Sequence, residues 1–170
     1  MTSIPPGHWL GLLGGGQLGR MFCMAAQSLG YRVAVLDPAA DGPAASVADR
    51  HIHADYLDAV GLGRLAALAS AATTEFENVP AGALQTLGAH RLVAPGADAV
   101  RIAQDRVSEK AHFVRCGVAC APYAVIDSAG ALAAVEAALL PGILKTARMG
   151  YDGKGQIRVA TRAELQLAWD

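Results

Sequence analysis

The glycine cluster that follows the first apolar segment constrains the fold more than any other feature of this sequence. Apolar residues lead up to the cluster, and apolar positions then recur at helical spacing, at Leu18, Met21, Phe22, Ala25 and Leu29. This pattern predicts a buried strand, a tight turn and a helix that ends at a glycine, Gly30.

The turn itself matches the spacing G-x-G-x-x-G through Gly14, Gly16 and Gly19. Glycines at these positions let a ligand approach the backbone closely, and the helix that follows offers free N–H groups to a phosphate. The same glycines could instead serve only to pack the helix against the strand. A short motif of this kind is weak evidence by itself, so both interpretations stay open.

Strand and helix patterns alternate after the first helix. The predicted strands cover residues 31–36, 50–54, 71–76 and 91–94, and the predicted helices cover residues 44–49 and 57–69 and a stretch from about residue 80. This alternation is typical of a parallel sheet with helical crossovers. The sequence therefore predicts an α/β fold, with a Rossmann-like parallel-sheet domain over residues 1–96.

Two carboxylates follow predicted strands of this domain. Asp37 comes about 20 residues after the glycine turn, where a dinucleotide-binding fold places its ribose-binding carboxylate. Glu75 comes at the end of the fourth strand, and ligands of open α/β sheets bind at that edge. We therefore expect Glu75 and the glycine turn to face the same crevice. Glu77 and Asn78 could simply cap the next helix.

The second half of the sequence has a different organisation. Residues 98–116 predict one or two helices that end at Gly117, residues 123–126 predict a short strand, and Ser128 begins an alanine-rich helix that extends to about residue 140. Thr161 and Glu164 form a capping box for a helix of barely two turns before the sequence stops at Asp170. Residues 97–170 are therefore expected to be linker helices and an incomplete second domain.

Two strands joined by a glycine-rich loop are predicted within residues 142–159. The loop is not a Walker motif, because Gly153-Lys154-Gly155 lacks a following Ser or Thr. A glycine loop between antiparallel strands can fold over the phosphates of a nucleotide, with Lys145 supplying positive charge. The alternative is a solvent-exposed hairpin.

Composition excludes several classes of protein. The 14 basic and 15 acidic residues give a net charge of -1, which argues against a nucleic-acid or anionic-membrane partner. The first apolar segment is too short to span a membrane and lacks a basic leader, so a cytoplasmic location is expected. Three cysteines without a CxxC motif favour reduced thiols. His51 and His53 lack a third ligand nearby, so no metal site is predicted.

Five motifs together indicate a family. They are Gly-Gly-Gly-Gln-Leu-Gly-Arg-Met at 14–21, Thr-x-Glu-Phe-Glu-Asn-Val at 73–79, Asp-Arg-x-x-x-Lys at 105–110, Ile-Leu-Lys at 143–145 and Gly-Tyr-Asp-Gly-Lys-Gly-Gln at 150–156. In this order and across nearly the whole sequence, they resemble the 5-(carboxyamino)imidazole ribonucleotide synthases, which are ATP-dependent ligases of the ATP-grasp superfamily. A small departure at residues 70–74 does not affect Glu75.

The resemblance implies an activity and its ligands. In enzymes of this family ATP phosphorylates bicarbonate, and the resulting carboxyphosphate carboxylates the exocyclic amine of aminoimidazole ribonucleotide, a step of purine biosynthesis. The implied cofactors are ATP and Mg²⁺, with metal ligands expected beyond Asp170. A homodimer is expected for the full-length enzyme.

The resemblance also assigns residues by position. Gln17, Leu18 and Glu75 would hold the ribonucleotide. The residues that would hold ATP are Arg106, Lys145, Gly150, Tyr151, Asp152, Gly153, Lys154, Gly155 and Gln156. Tyr151, Asp152 and Lys154 would lie where nucleotide and acceptor meet. The Asp152 carboxylate is the candidate base for the amine proton, although it could instead be a residue that only stabilises the turn.

Two other classes of function stay open at this point. A dinucleotide-binding oxidoreductase domain would explain the glycine turn and Asp37 but not the second glycine loop. A non-catalytic nucleotide-binding fragment would explain both loops and the missing metal ligands. NAD titration tests the first alternative, and an ATPase assay tests the second.

Overall fold

A computed structural model describes residues 3–150 and 153–169 of the chain. The chain divides into two compact units, residues 1–101 and residues 102–170. Each unit is described by itself below. The domain boundary predicted at residue 96 stays a prediction.

The first unit is a five-stranded parallel sheet with its crossover helices. Its strands are β1 (Trp9–Leu13), β2 (Arg32–Asp37), β3 (Arg50–His53), β4 (Ala71–Thr74) and β5 (Leu92–Val93), in the spatial order β3-β2-β1-β4-β5. Its helices are α1 (Gln17–Ser28), α2 (Ala59–Leu68), α3 (Ala81–Gly88) and α4 (Ala97–Ala103), the last of which extends across the division between the units. All four strand pairs are parallel, which confirms the predicted fold class.

Neighbouring residues of the central strands pack on opposite faces of this sheet, because side chains alternate along a strand. On one face Leu13 and Leu36 pack in a cluster with Leu65 of α2 and Leu84 of α3. On the other face Leu12, Val33 and Val35 pack with Cys23 and Ala26 of α1. The sheet is therefore a middle layer between helices, and its carboxyl edge is the place where polar residues can lie.

The helix after the glycine turn is confirmed, but its buried face is not the one that the apolar spacing indicates. Gly19, Cys23 and Ala26 are buried, whereas Leu18 and Met21 are more than half exposed. Small side chains allow α1 to approach the sheet closely, and apolar spacing alone could not distinguish a packed stripe from an exposed one. Gly30 follows the end of α1 with a positive φ of 83°, as a terminating glycine should.

The segment predicted as a helix over residues 44–49 forms consecutive turns instead. The amide of Ala48 donates to the carbonyl of Ala44 in a single helix-like bond of 2.9 Å. The carboxylate of Asp49 accepts hydrogen bonds from the amide of Val33 and the side chain of Gln27. Since this residue is bonded to β2 and α1, the segment continues as a loop across the sheet face rather than as a helix.

The second unit contains α5 (Arg106–Arg115), α6 (Ala129–Ala133), a short 3-10 helix (Ala137–Leu139), strands β6 (Gly142–Lys145) and β7 (Gln156–Val159), and α7 (Arg162–Trp169). Its core cluster has four buried residues, Leu132, Val135, Val159 and Leu165. The antiparallel pairing of β6 with β7 confirms the predicted hairpin. Among the described residues, no helix is long and apolar enough to cross a membrane.

Two predictions for this unit were wrong in part. Residues 123–126 are not a strand, because no strand of the described chain pairs with them. The alanine-rich helix begins at its predicted cap, Ser128, but ends at Ala133 rather than near residue 140. Its last carbonyls accept hydrogen bonds from the guanidinium of Arg162, which also bonds the carbonyl of Val135. A cation that satisfies the end of a helix in this way stabilises its termination.

The predicted cap at Thr161 is confirmed, but only half of the predicted capping box forms. The Thr161 hydroxyl accepts from the amide of Glu164, and the Glu164 carboxylate accepts from the amide of Ala160 at 2.8 Å. The first bond satisfies a donor at the start of α7. The second joins that helix to the residue after β7 instead of closing the box at the Thr161 amide.

Candidate functional site

The glycine turn lies at the carboxyl edge of the sheet, between β1 and α1. Gly14 has a φ of 111°, which is accessible to glycine at little cost, and Gly16 is the N-cap of α1. A side chain at Gly19 would lie 2.8 Å from the carbonyl oxygen of Gly14. The turn therefore depends on its glycines for its shape, and of these glycines Gly16 alone is partly exposed while Gly14, Gly15 and Gly19 are buried.

Glu75 lies against this turn, as the sequence predicts. Its backbone amide donates to the carbonyl of Leu13 at 2.9 Å, so it follows β4 at the point where β1 ends. Its carboxylate oxygen Oε2 accepts a hydrogen bond of 2.6 Å from the amide of Gly16. The positive end of the α1 dipole stabilises a carboxylate in this position. The structure thus brings Glu75 and the glycine turn into one site.

Gln17 and Leu18 begin α1 beside the same carboxylate, and both side chains are exposed. Their backbone N–H groups belong to the first turn of the helix, where no carbonyl four residues earlier in the helix is available to accept them. The three residues that the resemblance assigns to the ribonucleotide, Gln17, Leu18 and Glu75, are therefore neighbours at one helix N-terminus.

Asp37 is not placed to bind the ribose of a dinucleotide. Asp37 is only 7% exposed, and its carboxylate accepts hydrogen bonds from the amides of Gly15 and Ala39 and from the hydroxyl of Tyr56. A ribose diol would have to displace these partners to reach it. The expectation drawn from the spacing between Asp37 and the glycine turn is therefore not supported by the contacts of this carboxylate.

Sequence reasoning missed Tyr56 and Phe76, which border this edge of the sheet. Their rings pack edge to face with centroids 6.5 Å apart. Burial and the hydrogen bond to Asp37 raise the pKa of the Tyr56 hydroxyl, so the phenol stays protonated and donates at neutral pH. No periodicity marks Tyr56, but its position after β3 could have suggested it, because all parallel strands end at this edge.

In the second unit, the hairpin presents one polar face. Lys145 lies opposite Gln156, and Ile143 lies opposite Arg158, so these four side chains share a face of the two strands. All four residues are exposed. The opposite face contributes Leu144 and Val159 to the small core. Arg158 was not predicted as a site residue, although strand alternation places it two positions from Gln156 on the same face.

The glycine-rich loop of the hairpin is attached to the start of α5. The amide of Arg106 donates to the carbonyl of Ala147 at 2.9 Å, and its guanidinium donates to the carbonyl of Gly150 at 3.2 Å. A side chain at Gly155, whose φ is 66°, would lie 2.5 Å from the hydroxyl oxygen of Thr146. Arg106, Lys145, Gly150, Gly155 and Gln156 are thus parts of one hairpin and its support.

The N-cap of α5 provides a second attachment for the loop. The Asp105 carboxylate accepts from the amide of Ser108 at 2.8 Å and lies 3.8 Å from the guanidinium of Arg148. The hydrogen bonds from Ser108 hold the pKa of this carboxyl below its usual range. Asp105 therefore stays ionised at neutral pH.

Some predicted residues are not assembled by these contacts. Tyr151 and Asp152 lie outside the described residues, and Gly153 and Lys154 follow them as exposed loop residues. Within residues 3–150 and 153–169, no group of three or more His, Cys, Asp or Glu side chains could hold a metal ion. An open cleft of about 710 Å³ in the second unit is lined by residues 114 and 117–124 and by three residues of 134–139, and none of the predicted site residues lines it.

Comparisons with protein families divide the chain in a similar way. Residues 8–104 match the model of the ribonucleotide synthetase preATP-grasp domain, and residues 111–170 match that of the ATP-grasp domain. Fold and site thus define an α/β protein in which a parallel sheet precedes an ATP-grasp unit. The chain belongs to the ribonucleotide synthetase preATP-grasp family.

Individual relatives are consistent with this assignment. The chain is 47% identical over 97% of its length to the N5-carboxyaminoimidazole ribonucleotide synthase of Brucella melitensis, and this match covers 46% of the relative. It is 40% identical over the same share of its length to the enzyme of that name from Bacillus subtilis, with 44% of the relative covered. The chain therefore spans about half the length of the curated relatives it matches. These matches confirm the resemblance found in the sequence.

Solved structures are similar over the same span. A Staphylococcus aureus N5-carboxyaminoimidazole synthetase complexed with ADP matches with a TM-score of 0.91 and 36% identity, covering 99% of this chain and 46% of that one. An Aspergillus clavatus N5-carboxyaminoimidazole synthase in complex with ADP and 5-aminoimidazole ribonucleotide matches with a TM-score of 0.81 and 30% identity, covering 95% and 43%. Both units of this chain thus follow folds that have been seen in proteins with bound nucleotides.

Proposed function

We propose that this chain contributes the ribonucleotide-binding and part of the ATP-binding machinery for ATP- and bicarbonate-dependent carboxylation of aminoimidazole ribonucleotide. The observation that carries the proposal is the 2.6 Å hydrogen bond between the amide of Gly16 and the carboxylate of Glu75. This bond joins the glycine turn to the end of β4. It holds the Glu75 carboxylate next to a helix N-terminus of the kind that binds anions.

The charges at this edge orient the ribonucleotide. A phosphate that shared the Gly16 amide with Glu75 would place two anions in contact, which is unfavourable. The phosphate instead binds the amides of Gln17 and Leu18 at the start of α1. Glu75 then accepts hydrogen bonds from the neutral polar groups of the ribonucleotide, namely its ribose hydroxyls. The single carboxylate therefore separates the phosphate end of the ligand from its sugar.

The second unit binds ATP along the exposed face of the hairpin. Lys145 and Arg158 supply positive charge to the triphosphate, and Gln156 lies directly opposite Lys145. The glycine loop, Gly150 to Gln156, covers the phosphates, and Arg106 holds the loop at the carbonyl of Gly150. Arg106 acts on the nucleotide both through this support and through its own charge.

The reaction has two steps. ATP phosphorylates bicarbonate to give carboxyphosphate and ADP, and the exocyclic amine of the ribonucleotide attacks the carboxyl carbon with expulsion of phosphate. Asp152 accepts the proton that the amine loses, and Tyr151 and Lys154 hold the reacting groups near one another. When bound with the nucleotide, Mg²⁺ would neutralise phosphate charge. A cytoplasmic location and a homodimeric full-length protein remain predictions.

Calorimetric titration tests this proposal against the two alternatives. The chain is titrated separately with aminoimidazole ribonucleotide, ATP and NAD, and product formation by the full-length protein is followed by mass spectrometry with ribonucleotide, ATP and bicarbonate present. Binding of the ribonucleotide and ATP without NAD binding is the expected result. NAD binding with no ribonucleotide binding would contradict the proposal and favour an oxidoreductase domain. If the chain binds both nucleotides and the full-length protein shows no turnover, a non-catalytic nucleotide-binding role is favoured.

A further inference from the structure

The carboxylate of Asp37 is buried under the glycine turn and fully hydrogen bonded. Its Oδ2 atom accepts from the amide of Gly15 and from the Tyr56 hydroxyl, each at 2.7 Å, and its Oδ1 atom accepts from the amide of Ala39 at 2.8 Å. Charge-assisted hydrogen bonds of this kind offset the cost of burying a carboxylate. An arrangement of three donors from three segments suggests a specific task for Asp37.

Gly15 is held through the two peptide groups that adjoin it, and Asp37 bonds the first of them at the Gly15 amide. The carbonyl of Gly15 accepts from the amide of Ala44 at 2.9 Å, on the loop that follows β2. Because a trans peptide is planar and its C=O and N–H groups point in opposite directions, this bond aims the amide of Gly16 away from the loop. The Gly16 amide then meets the Glu75 carboxylate. The Gly15 residue is thus held at its amide by Asp37 and at its carbonyl by Ala44.

Close packing leaves this peptide little freedom. A side chain at Gly15 would lie 2.7 Å from the carboxyl carbon of Asp37, and a side chain at Gly42 would lie 2.7 Å from the carbonyl oxygen of Gly15. Either contact would push the turn away from its supports. The two glycines therefore permit a close approach in which Asp37 holds the Gly15 amide and Ala44 holds the Gly15 carbonyl, and together these bonds fix the direction of the Gly16 amide.

We propose that Asp37 and Tyr56 are positioning residues, which orient the Gly16 amide and, through it, Glu75 for the ribonucleotide. Neither residue touches the ligand. This role rests on the proposed function of the site, and it gives Asp37 a different task from that of a dinucleotide-binding carboxylate. Tyr56 restrains the Asp37 carboxylate through a second donor on the oxygen that holds the turn, since its hydroxyl stays protonated at all pH values near neutrality.

Three variants and a control test the proposal in the full 170-residue chain. Asp37→Ala removes every bond, Asp37→Asn keeps an acceptor for the Gly15 amide, and Tyr56→Phe removes only the hydroxyl bond. Asp41→Asn is the matched control, since it removes a carboxylate from an exposed residue of the neighbouring loop. Affinity for aminoimidazole ribonucleotide is measured by calorimetry, and the chemical shift and hydrogen exchange of the Gly16 amide are measured by NMR.

The expected losses of affinity follow the number of bonds removed. Tyr56→Phe should weaken ribonucleotide binding by about threefold to tenfold, Asp37→Asn by about tenfold, and Asp37→Ala by more than either. The Gly16 amide should shift in the same order, while Asp41→Asn leaves both measurements unchanged. If Asp37→Ala fails to fold, the Tyr56→Phe and Asp37→Asn variants decide the question.

These measurements distinguish failure of the positioning role from failure of the proposed ribonucleotide binding. Ribonucleotide binding by the unsubstituted chain with unchanged affinity in Tyr56→Phe and Asp37→Asn overturns the positioning role alone. Variants that lower the unfolding midpoint but bind as tightly as the unsubstituted chain also overturn it, because they show a purely structural role. Absence of ribonucleotide binding by the unsubstituted chain overturns the proposed function and this role with it.

Discussion

The two units of this chain hold their candidate binding groups in different ways. In the first unit, the acidic groups at the sheet edge are bonded to the backbone of the glycine turn, and that turn rests on a parallel sheet buried on both faces. In the second unit, Lys145, Gln156 and Arg158 lie exposed on a two-stranded hairpin with a core of four buried residues. The first site is preorganised by hydrogen bonds to a turn that rests on a buried sheet, whereas the groups of the second site are free to adjust to what they bind.

The two sites should also differ in the entropy that is lost when a ligand binds. Buried, bonded groups keep their geometry without a ligand, so little ordering is needed on binding. Exposed long side chains lose rotamer freedom when they bind, and each loss offsets part of the gain. We therefore expect substitutions at the glycine turn to change both the conformation of the turn and its affinity for ligand. Substitutions on the hairpin face should change affinity with little effect on folding.

The largest predicted effect is on stability. Leu36→Ala, at a fully buried position of β2, should cost about 2 to 5 kcal/mol, and Leu165→Ala should cost less because its smaller cluster can relax around the gap. Urea unfolding is followed in single-tryptophan variants, since Trp9 reports on the first unit and Trp169 on the second.

Leu167→Ala is the control for this pair, because Leu167 is 80% exposed and its loss should change stability by less than about 0.5 kcal/mol. If Leu165→Ala lowered the free energy of unfolding as much as Leu36→Ala or more, the two units would not differ in packing as proposed.

The next effect is on ribonucleotide binding. Gly16→Val would place a side chain against the carboxylate of Glu75 and break the bond between turn and strand end. Affinity for aminoimidazole ribonucleotide should fall by on the order of 100-fold, or about 3 kcal/mol. Gly63→Val is the control, because a side chain there meets open space on α2. Calorimetry that gives the same affinity for Gly16→Val and the unsubstituted chain would show that the turn does not contact the ligand.

A smaller effect is expected on the hairpin face. Lys145→Ala should weaken ATP binding by about 1.5 to 3 kcal/mol, near the lower figure because this lysine is exposed, and Arg158→Gln should weaken it by a similar or smaller amount. The ATP affinities of both variants are measured by fluorescence competition with a labelled nucleotide. Arg115→Ala, at the exposed end of α5, should leave the affinity unchanged. If Arg115→Ala alone lowered the affinity for ATP, the nucleotide would not bind on the hairpin face.

The smallest effect is a pH dependence of stability in the first unit. Burial raises the pKa of the Cys23 thiol from 9.0 to about 11. The unfolded chain therefore loses this proton near pH 9 while the folded chain keeps it, so the free energy of unfolding falls as pH rises from 9 to 11. We expect a fall on the order of 1 to 2 kcal/mol from this group.

Comparison with Cys23→Ala isolates that contribution, since every other titrating group is shared by the two chains. The Trp9 fluorescence of both is followed in urea at pH 8, 9 and 10. If the difference between the two chains stays constant with pH, then Cys23 is not buried as a neutral thiol.

The parts of this architecture that sequence could predict are those set by local patterns. The glycine turn, Glu75 at the neighbouring strand end and the helix cap at Thr161 follow from short spacings and from the rule that parallel strands end at one edge. The hairpin was likewise predicted from a local pattern, two short strand-like segments on either side of a glycine-rich loop. These features need no knowledge of the partner surfaces.

The parts that sequence could not predict depend on tertiary partners. The buried face of α1 is made of small residues, so apolar spacing favoured Leu18 and Met21 instead. Helix α6 ends early because Arg162, about 30 residues away, bonds its carbonyls. Asp37 has the spacing of a ribose ligand, and only its three bonds show that it belongs to the turn. Contacts across long sequence separations therefore explain each difference.

The central claim is that the glycine turn binds the ribonucleotide and the hairpin face binds ATP, and amide NMR tests it most directly. Aminoimidazole ribonucleotide should shift the amides of Gly16, Gln17 and Leu18 and leave those of Lys145 and Gln156 in place. ATP should shift the hairpin amides and leave the glycine turn unchanged. If the ribonucleotide shifts only the hairpin amides, or if ATP shifts only the glycine turn, the assignment of ligands to the two units is wrong.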